Sequence, residues 1–340
     1  MAKTRLLWPI LVLVFILLIN LFFDHSFFVI EIKNGHFTGS LIDILNRSAP
    51  LMLISLGMTL VIATKGIDLG VGSVIAMSGA VAAVTVTGGA QDSLIPLCIA
   101  IAFALGLSVL TGVWNGFLVS RIGVQPIIAT LILMVAGRGV AQLITNGQIT
   151  TIYYDPYKFI GGGHLFMLPF SIFIVGFVLL ITFYVTRKTA IGLFIESVGA
   201  NPNASRLSGI NSNKIILMVY MFSGLCAGIG GLILSSNVAS ADGNNAGLWY
   251  ELDAILAVVI GGTSLMGGRF FLMGTVIGVL VIQSLTTTIY SIGIPPQINL
   301  VIKAIVVLIV CLLQSPEFRK KLTHTFKLKK SNTKGEVTQL

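Results

Sequence analysis

The strongest constraint on the fold is a series of long runs that contain almost no charged residue. The first, from Leu6 to Phe23, has none, and similar runs recur along the chain after short polar intervals. A helix needs about 20 apolar residues to cross a bilayer core. Charged residues make up only 10% of the chain, whereas a soluble domain carries roughly 25%. The sequence therefore predicts an all-α, polytopic membrane protein and excludes a soluble enzyme, a secreted disulfide scaffold and a disordered protein.

About ten segments are candidate transmembrane helices. The eighth is short and the second and third are separated by only a few residues, so eight or nine spans also fit the pattern. The first run is longer than the roughly 7–15 apolar residues of a signal peptide and no small-residue cleavage site follows it, so we expect a retained span. The candidate spans run near 6–23, 49–64, 70–88, 94–119, 126–145, 168–185, 214–236, 251–262, 270–289 and 297–313.

Basic residues alternate along these spans in a way that predicts orientation. With ten spans and a cytoplasmic N-terminus, sixteen lysines and arginines lie inside and three outside. We therefore expect both termini in the cytoplasm, a membrane domain over 1–313 and a basic cytoplasmic tail over 314–340 that is solvated or lies along lipid headgroups. The basic residues flank apolar runs rather than forming a basic domain, so the net charge of +9 does not indicate a nucleic-acid partner.

The motifs of the common nucleotide and metal sites are missing from the sequence. No Gly-Lys dipeptide occurs, which excludes a Walker-type phosphate loop, and no His-Glu-x-x-His occurs. The three cysteines, Cys98, Cys226 and Cys311, lie inside apolar runs, as small hydrophobic residues do. We expect neither enzymatic activity nor a cofactor nor a metal. Any uphill transport must then take its energy from an ion gradient or from another subunit.

Four charged residues fall within or at the start of predicted spans. Asp68 and Asp253 open the third and eighth spans, and Arg138 and Lys303 lie within the fifth and tenth. Charge inside a membrane is costly and is a default indication of function. Arg138 fits either a cavity wall or a structural ion pair, and Lys303 can extend its ammonium group to the interface. If spans 2–5 and 7–10 are inverted copies, each half supplies one acid and one base.

The interval between the sixth and seventh spans contains the signals of a short helix. Asn201 suits the N-cap, Pro202 the first helical position and Gly209 the residue after the end. Such a short helix is not stable alone, so its apolar residues need a partner. Docking onto a cytoplasmic protein and packing back onto the bundle both satisfy that requirement.

Several of these stretches together resemble a known family, the membrane permeases of bacterial ABC importers for monosaccharides, in the ribose-type branch. The likeness covers roughly 40–313, and the stretches 131–144 and 247–249 are most similar to the galactofuranose permeases. Lys65 and Gly70 stand where that family has Gly and Ser, and Arg269-Phe270 where a glycine often follows. The stretches that carry the likeness are Gly66-Ile-Asp-Leu-Gly-Val-Gly72, Asn115-Gly116 with Pro126 and Thr130-Leu131, Arg138-Gly139, Gly192 to Ile210, and Glu251 to Gly268.

The resemblance implies a permease subunit of an ATP-driven sugar importer in the bacterial inner membrane, surrounded by lipid. Its implied partners are a cytoplasmic ATPase subunit, a periplasmic sugar-binding protein and a second permease subunit, with a heterodimer expected for the galactofuranose systems. The segment 201–209 would be the coupling helix that seats on the ATPase. The residues expected in this coupling loop are Gly192, Glu196, Asn201, Ala204, Ser208 and Gly209.

Hydroxyl-rich solutes need hydrogen-bonding walls, which selects candidates for the translocation pathway. Two other functions remain open: an ion-coupled secondary sugar carrier that uses Asp68 or Asp253, and a membrane structural protein in which Arg138 and Asp253 satisfy each other in a dry bundle. The pathway candidates are Asp68, Asn115, Arg138, Gln142 and Asp253.

Overall fold

A computed structural model describes residues 2–23, 27–33, 35–89, 93–293, 295, 298, 300–305 and 308, and it shows a bundle of helices. Three two-stranded ladders connect some of the loops, β1 with β2, β3 with β6 and β4 with β5. The strands are β1 Glu31–Lys33, β2 His36–Thr38, β3 Thr150–Thr151, β4 His164–Leu165, β5 Leu168–Pro169 and β6 Ser240–Ala241. The helices are α1 Ala2–Phe23, α2 Ser40–Ala63, α3 Val71–Thr87, α4 Ile95–Phe117, α5 Pro126–Ile144, α6 Asp155–Gly162, α7 Phe170–Lys188, α8 Ala190–Ala200, α9 Pro202–Leu207, α10 Ser212–Val238, α11 Tyr250–Ile260 and α12 Leu272–Ser291.

The predicted all-α membrane class is confirmed, whereas the count of ten spans is not. Six helices of the described chain are long and apolar enough to cross a membrane: α2, α4 with its π-helical extension to Ile122, α5, α7, α10 and α12. The helices α1 and α3 coincide with predicted spans but have shorter apolar stretches. With 11 residues, α11 is about 17 Å long, too short to cross alone. The tenth predicted span, 297–313, lies largely outside the described residues, and 298, 300–305 and 308 are helical.

The centre of the bundle is α2, which contacts α7, α10, α11 and α12. It is buried along most of its length, unlike α4, α5 and α7. It begins at Ser40, nine residues before the predicted start, because polar side chains in its first turns have partners inside the protein. The carboxamide oxygen of Asn46 accepts a hydrogen bond from Ser171 of α7. A polar stretch that the sequence indicates as a loop is therefore the start of a buried helix.

Small residues bring α10 against α4. A Cβ added to Gly112 of α4 would lie 2.6 Å from the carbonyl oxygen of Tyr220, and one added to Gly224 of α10 would lie 3.0 Å from the Cα of Gly112. Without glycine at both positions the two backbones could not approach so closely. This packing is typical of membrane helices, which lack a hydrophobic driving force for association in lipid.

The loops gather at two ends of the bundle. One end, named here the basic end, holds the loops 64–70, 118–125, 189–211 and 261–271. Lys65 Nζ donates to the carbonyl oxygen of Ala200 there. The hairpin end holds the β-ladders, and Phe37 N–H donates to the carbonyl oxygen of Met167. The grouping agrees with the alternation of basic residues, and which end faces the cytoplasm stays a prediction.

Candidate functional site

Asp68 lies in the loop between α2 and α3, where it is almost completely buried. Its Oδ2 accepts a hydrogen bond from Ser223 of α10 at 2.8 Å, and its Oδ1 accepts one from the backbone N–H of Gly70 at 3.1 Å. The carboxamide of Asn115 in α4 donates to Oδ1 at 3.4 Å. The structure thus brings Asp68 and Asn115 together, and the carboxylate connects the entry of α3 to α4 and α10. Neither side chain lines a described cavity.

Arg138 of α5 faces the segment that precedes α11. Its Nη1 donates to the carbonyl oxygen of Ala246, and the charges of Glu251 and Asp242 act on its guanidinium group. Neither carboxylate comes within ion-pair distance of Arg138 among the described residues. The arginine is therefore held by a backbone oxygen and by the field of two acids.

Glu251, at the second position of α11, is a buried acid that sequence reasoning did not single out. It is 2% exposed, and its Oε2 has no hydrogen-bond partner in the described part of the chain. A Cβ added to Gly72 of α3 would collide with this oxygen, so the glycine makes room for the carboxylate. Isolated buried charge is costly, which makes the nearby positive charge of Arg138 the compensating group.

The segment 242–249 packs against α5 and α3. A Cβ added to Gly243 would lie 3.0 Å from the backbone nitrogen of Gln142, so this predicted pathway residue borders the segment. A cavity of about 270 Å³ opens between the segment, α3 and α10, and includes Asp242 and Asn245 in its wall. Partial burial opposes ionisation of Asp242, but hydrogen bonds from Asn245 and from the backbone of Asn244 lower its pKa, so the wall is negatively charged at neutral pH.

None of the five predicted pathway residues is among those that line this cavity. Arg138 reaches its wall through the carbonyl oxygen of Ala246, which does belong to the lining. The five residues therefore do not form one site. They divide into the Asp68–Asn115 pair, Arg138 with Gln142 beside the 242–249 segment, and Asp253.

Asp253 faces the helical stretch near residue 303 rather than Arg138. Its Oδ2 accepts a 2.7 Å hydrogen bond from Lys303 Nζ, and both side chains are largely buried. Asp253 and Glu251 are two residues apart on α11, so they point to nearly opposite sides of the helix. The second half thus pairs its acid with its base. The first half does not, because Asp68 bonds to Ser223 while Arg138 bonds to Ala246. The inverted repeat itself stays a prediction.

The predicted short helix of the 189–211 loop is present as α9. The side chain of Asn201 caps it by accepting from the backbone N–H of Asn203 at 3.0 Å and of Ala204 at 3.1 Å. Ser208 Oγ donates to the carbonyl oxygen of Ala204, and Gly209 follows with φ of +84°. Leu207, at the end of the helix, is 91% exposed. An apolar side chain this exposed on a capped helix is available to contact a partner.

The other coupling-loop candidates belong to α8, an 11-residue helix that the sequence did not predict. Gly192 lies against the carbonyl oxygen of Thr186, where a Cβ would collide. Glu196 Oε1 is 3.6 Å from Arg187 Nη1, and Arg187 Nη2 donates to the carbonyl oxygen of Phe270 at 2.9 Å. The residues Gly192 and Glu196 therefore fix α8 to α7 and, through Arg187, to the 261–271 loop.

The C-terminal end of α8 meets the end of α2. A Cβ on Gly199 would overlap the carbonyl oxygen of Ala63 and lie 2.7 Å from the backbone nitrogen of Gly268. Gly268 N–H in turn donates to the carbonyl oxygen of Ala63 at 2.9 Å. The end of α8 therefore packs directly against the end of the central helix.

Sequence reasoning missed Ser223, Glu251 and Arg187. Glu251 stands two residues before Asp253, so helical spacing places it on the opposite side of α11. This spacing of two acids on one apolar helix is the signal that could have identified Glu251. Ser223 is 155 positions from Asp68, and only the packing of α10 shows its role. Arg187 reads as one of several basic residues at a span end.

These features define a class: a multi-pass membrane protein with charged groups held inside the bundle and a capped helix exposed at one end. The chain belongs to the permease family described as "Branched-chain amino acid transport system / permease component", whose model matches residues 40–311.

Three curated relatives show where in this family the chain lies. It is 49% identical to the "Galactofuranose transporter permease protein YtfT" of Escherichia coli (strain K12), over 93% of both chains. It is 40% identical to the "Fructose import permease protein FruF" of Bifidobacterium longum (strain NCC 2705), over 93% of this chain and 89% of the relative. It is 39% identical to the "Ribose import permease protein RbsC" of Escherichia coli (strain K12), over 81% and 85%. The comparison with solved structures found no match.

Proposed function

We propose that the chain is the permease subunit of an ATP-driven importer that carries a monosaccharide, galactofuranose, from the periplasm to the cytoplasm across the bacterial inner membrane. The observation that carries the proposal is the 49% identity, over 93% of both chains, to a protein named as a galactofuranose transporter permease. The fructose and ribose permeases among the relatives support the wider sugar class. The 1–313 region is then the permease domain and 314–340 a cytoplasmic tail.

In this proposal the pathway runs beside α5 and the 242–249 segment. Arg138 and Gln142 supply hydrogen-bonding groups, and Asp242 supplies a fixed negative charge at the hairpin end. Asp68 and Asn115 act by positioning α3, because their polar atoms bond to one another and to α10. Selectivity lies in the binding protein, since tight binding inside the permease would slow release.

The coupling contact is α9 with the end of α8. Leu207 is the exposed apolar anchor that would enter a groove on the ATPase. The tight contact of Gly199 with Ala63 supports transmission of the ATPase motion to α2. An ATPase subunit, a periplasmic binding protein and a second permease, most simply a different one, complete the assembly. Exposed apolar residues along α4 and α5 offer surface for lipid or for that second permease.

Reconstitution tests the proposal directly. Proteoliposomes that hold the chain with its copurified subunits and binding protein should take up labelled galactofuranose only when ATP is on the ATPase side. Ribose and fructose serve as competing sugars. Uptake of ribose or fructose in preference to galactofuranose would contradict the sugar assignment but leave the permease class intact.

Two variants test the coupling loop. Asn201→Pro removes the cap and the N–H that donates to Ser197, and Gly209→Leu places a side chain at positive φ. Both should leave the bundle inserted while ATP-driven uptake falls to background. Tyr184→Phe, on the exposed face of α7 and outside the coupling contact, should keep normal uptake. Normal uptake in the first two variants would exclude α9 as the coupling contact.

The same preparation separates the other two functions. An ion-coupled carrier would take up sugar with a proton or sodium gradient and without an ATPase. A structural protein would show no uptake under either condition. Because Asp253 is satisfied by Lys303 rather than by Arg138, the specific pairing expected of a dry structural bundle is not the one observed.

A further inference from the structure

A groove separates α7 from α10 at the basic end of the bundle. Its volume is about 210 Å³, with Leu60 of α2 at its floor and Ile191 and Ile195 of α8 along one side. The residues that line its two walls lie in the last eight residues of α7 and the first eleven of α10. The groove is therefore confined to one leaflet of the membrane.

The lining offers no polar atom to an occupant. Its only hydroxyl groups belong to Thr182 and Thr186, and both donate back into α7, to the carbonyl oxygens of Val178 and Thr182 at 2.7 Å each. A purely apolar cavity of even about 150 Å³ stays dry and binds hydrophobic molecules. Water is therefore a poor occupant of this larger groove.

The groove opens sideways, toward the surface that a membrane would cover. Ile181 of α7 is 41% exposed, and Met218 and Met221 of α10 are 44% and 37% exposed. Methionine and isoleucine at such a mouth adapt to a flexible hydrocarbon. A lipid acyl chain can enter from the bilayer without crossing a polar barrier.

A lysine stands at the mouth on each wall. Lys188 is three residues after Val185 and seven after Ile181, so helical spacing places it on the same face of α7, one turn nearer the end. Lys214 is four residues before Met218 and stands in the same relation on α10. Both lysines are exposed, and neither forms an ion pair within the part of the chain that the structure describes.

The nearby charged groups are already engaged. Glu196 of α8 is paired with Arg187, and Arg187 also donates to Phe270 and lies over its ring. Helical spacing therefore places two positive charges at the mouth of the apolar groove, and neither is paired with an acid in the described part of the chain.

We propose that this groove is a binding site for one anionic phospholipid of the leaflet at the basic end, with an acyl chain in the slot and the phosphate between Lys188 and Lys214. The site depends on the membrane setting and not on which sugar is carried. Because Ile191 and Ile195 form part of the slot, the bound chain fills the space between α8 and the bundle and braces the helix that precedes α9.

Native mass spectrometry of the purified full chain, with whatever subunits copurify, tests the site. The probes are phosphatidylglycerol and phosphatidylcholine with identical acyl chains. Each lysine near an anionic headgroup contributes roughly fivefold to affinity, so the wild-type protein should prefer phosphatidylglycerol by roughly 30-fold at this site. The double variant Lys188→Gln with Lys214→Gln should lose that preference and still bind phosphatidylcholine.

A charge-matched control keeps the result interpretable. Lys33→Gln with Lys158→Gln removes two exposed lysines of the hairpin end and should retain the preference. Val185→Trp places an indole in the slot and should reduce binding of both lipids at least tenfold. An unchanged preference in the Lys188/Lys214 variant would overturn the proposal, and so would a protein subunit found covering Val185 in the assembled complex.

Discussion

Removal of the Asp68 carboxylate should destabilise the protein more than removal of any single one of its donors. The carboxylate accepts from Ser223 Oγ at 2.8 Å and from Gly70 N–H at 3.1 Å, with Asn115 at 3.4 Å. A hydrogen bond to a charged group contributes about 1.5–3 kcal/mol, and each donor left buried without a partner costs about 1–3 kcal/mol. In Asp68→Ala the Ser223 hydroxyl can turn to a carbonyl oxygen of its own helix, whereas the Gly70 N–H and the Asn115 carboxamide have no such alternative. The free energy of unfolding should therefore fall by about 3–5 kcal/mol.

Ser223→Ala removes one of these bonds and should cost about 1.5–3 kcal/mol. At roughly 2 °C per kcal/mol for a chain of this size, the melting temperature in detergent should fall by about 3–6 °C in Ser223→Ala and about 6–10 °C in Asp68→Ala. Ser78→Ala is the matched control, because Ser78 is also buried between helices but donates to a neutral acceptor, the carbonyl oxygen of Gly228, at 2.8 Å. Its effect should be about 1 kcal/mol.

Uptake measured on the same samples decides what the carboxylate does. In a positioning role, transport should decline in step with the melting temperature across the three variants. If Asp68→Ala melts at the wild-type temperature and yet abolishes uptake, the carboxylate acts on the solute or on a coupling ion, and the positioning argument is wrong.

Three further predictions follow from other contacts. Lys303→Met leaves the buried Asp253 without its positive partner and should lower the free energy of unfolding by about 3–5 kcal/mol. Adding Asp253→Leu should restore much of the melting temperature, because an apolar pair then replaces the two ions. His36 and His164 stack at 4.1 Å, and burial together with the neighbouring imidazole lowers the pKa of His164. The stack is therefore fully stabilising above about pH 6.5 and weakens as the pH falls, so hydrogen exchange in the β1–β2 hairpin should accelerate, after correction for the intrinsic rate, at pH 5. Gly199→Ala should shift α8 away from α2 and cost about 1–3 kcal/mol by melting temperature, and a stable variant with normal uptake would show that this contact does not transmit motion.

The predicted spans agree with the helices where lipid or bundle packing demands long apolar runs. Residues 70–88, 126–145 and 214–236 correspond closely to α3, α5 and α10. The exceptions have a common cause, which is that protein rather than lipid or water surrounds the segment. The polar residues before 49 are helical because α7 and α10 satisfy them, and α8 is held by tertiary contacts that its 11 residues do not encode.

The candidate site shows the same division between local and distant information. The cap by Asn201 and the positive φ of Gly209 depend on neighbours within a few positions, so residue type alone predicts them. The partners of Asp68 and Arg138 lie 155 and 108 positions away, on elements whose register is set only when the bundle packs. Sequence therefore identifies which charged groups are unusual but not which groups satisfy them.

The burial of α2 has a consequence for biogenesis. Of the six long spans it has the lowest mean hydropathy, 1.4, and 83% of its window is enclosed by the protein. Most of the protein that encloses α2 belongs to helices such as α7, α10 and α12, which are synthesised after it. A segment this weakly lipophilic cannot be released early into the bilayer without exposing its polar groups. We therefore expect the insertion machinery to retain α2, or a chaperone to shelter it, until more than a hundred further residues have been synthesised.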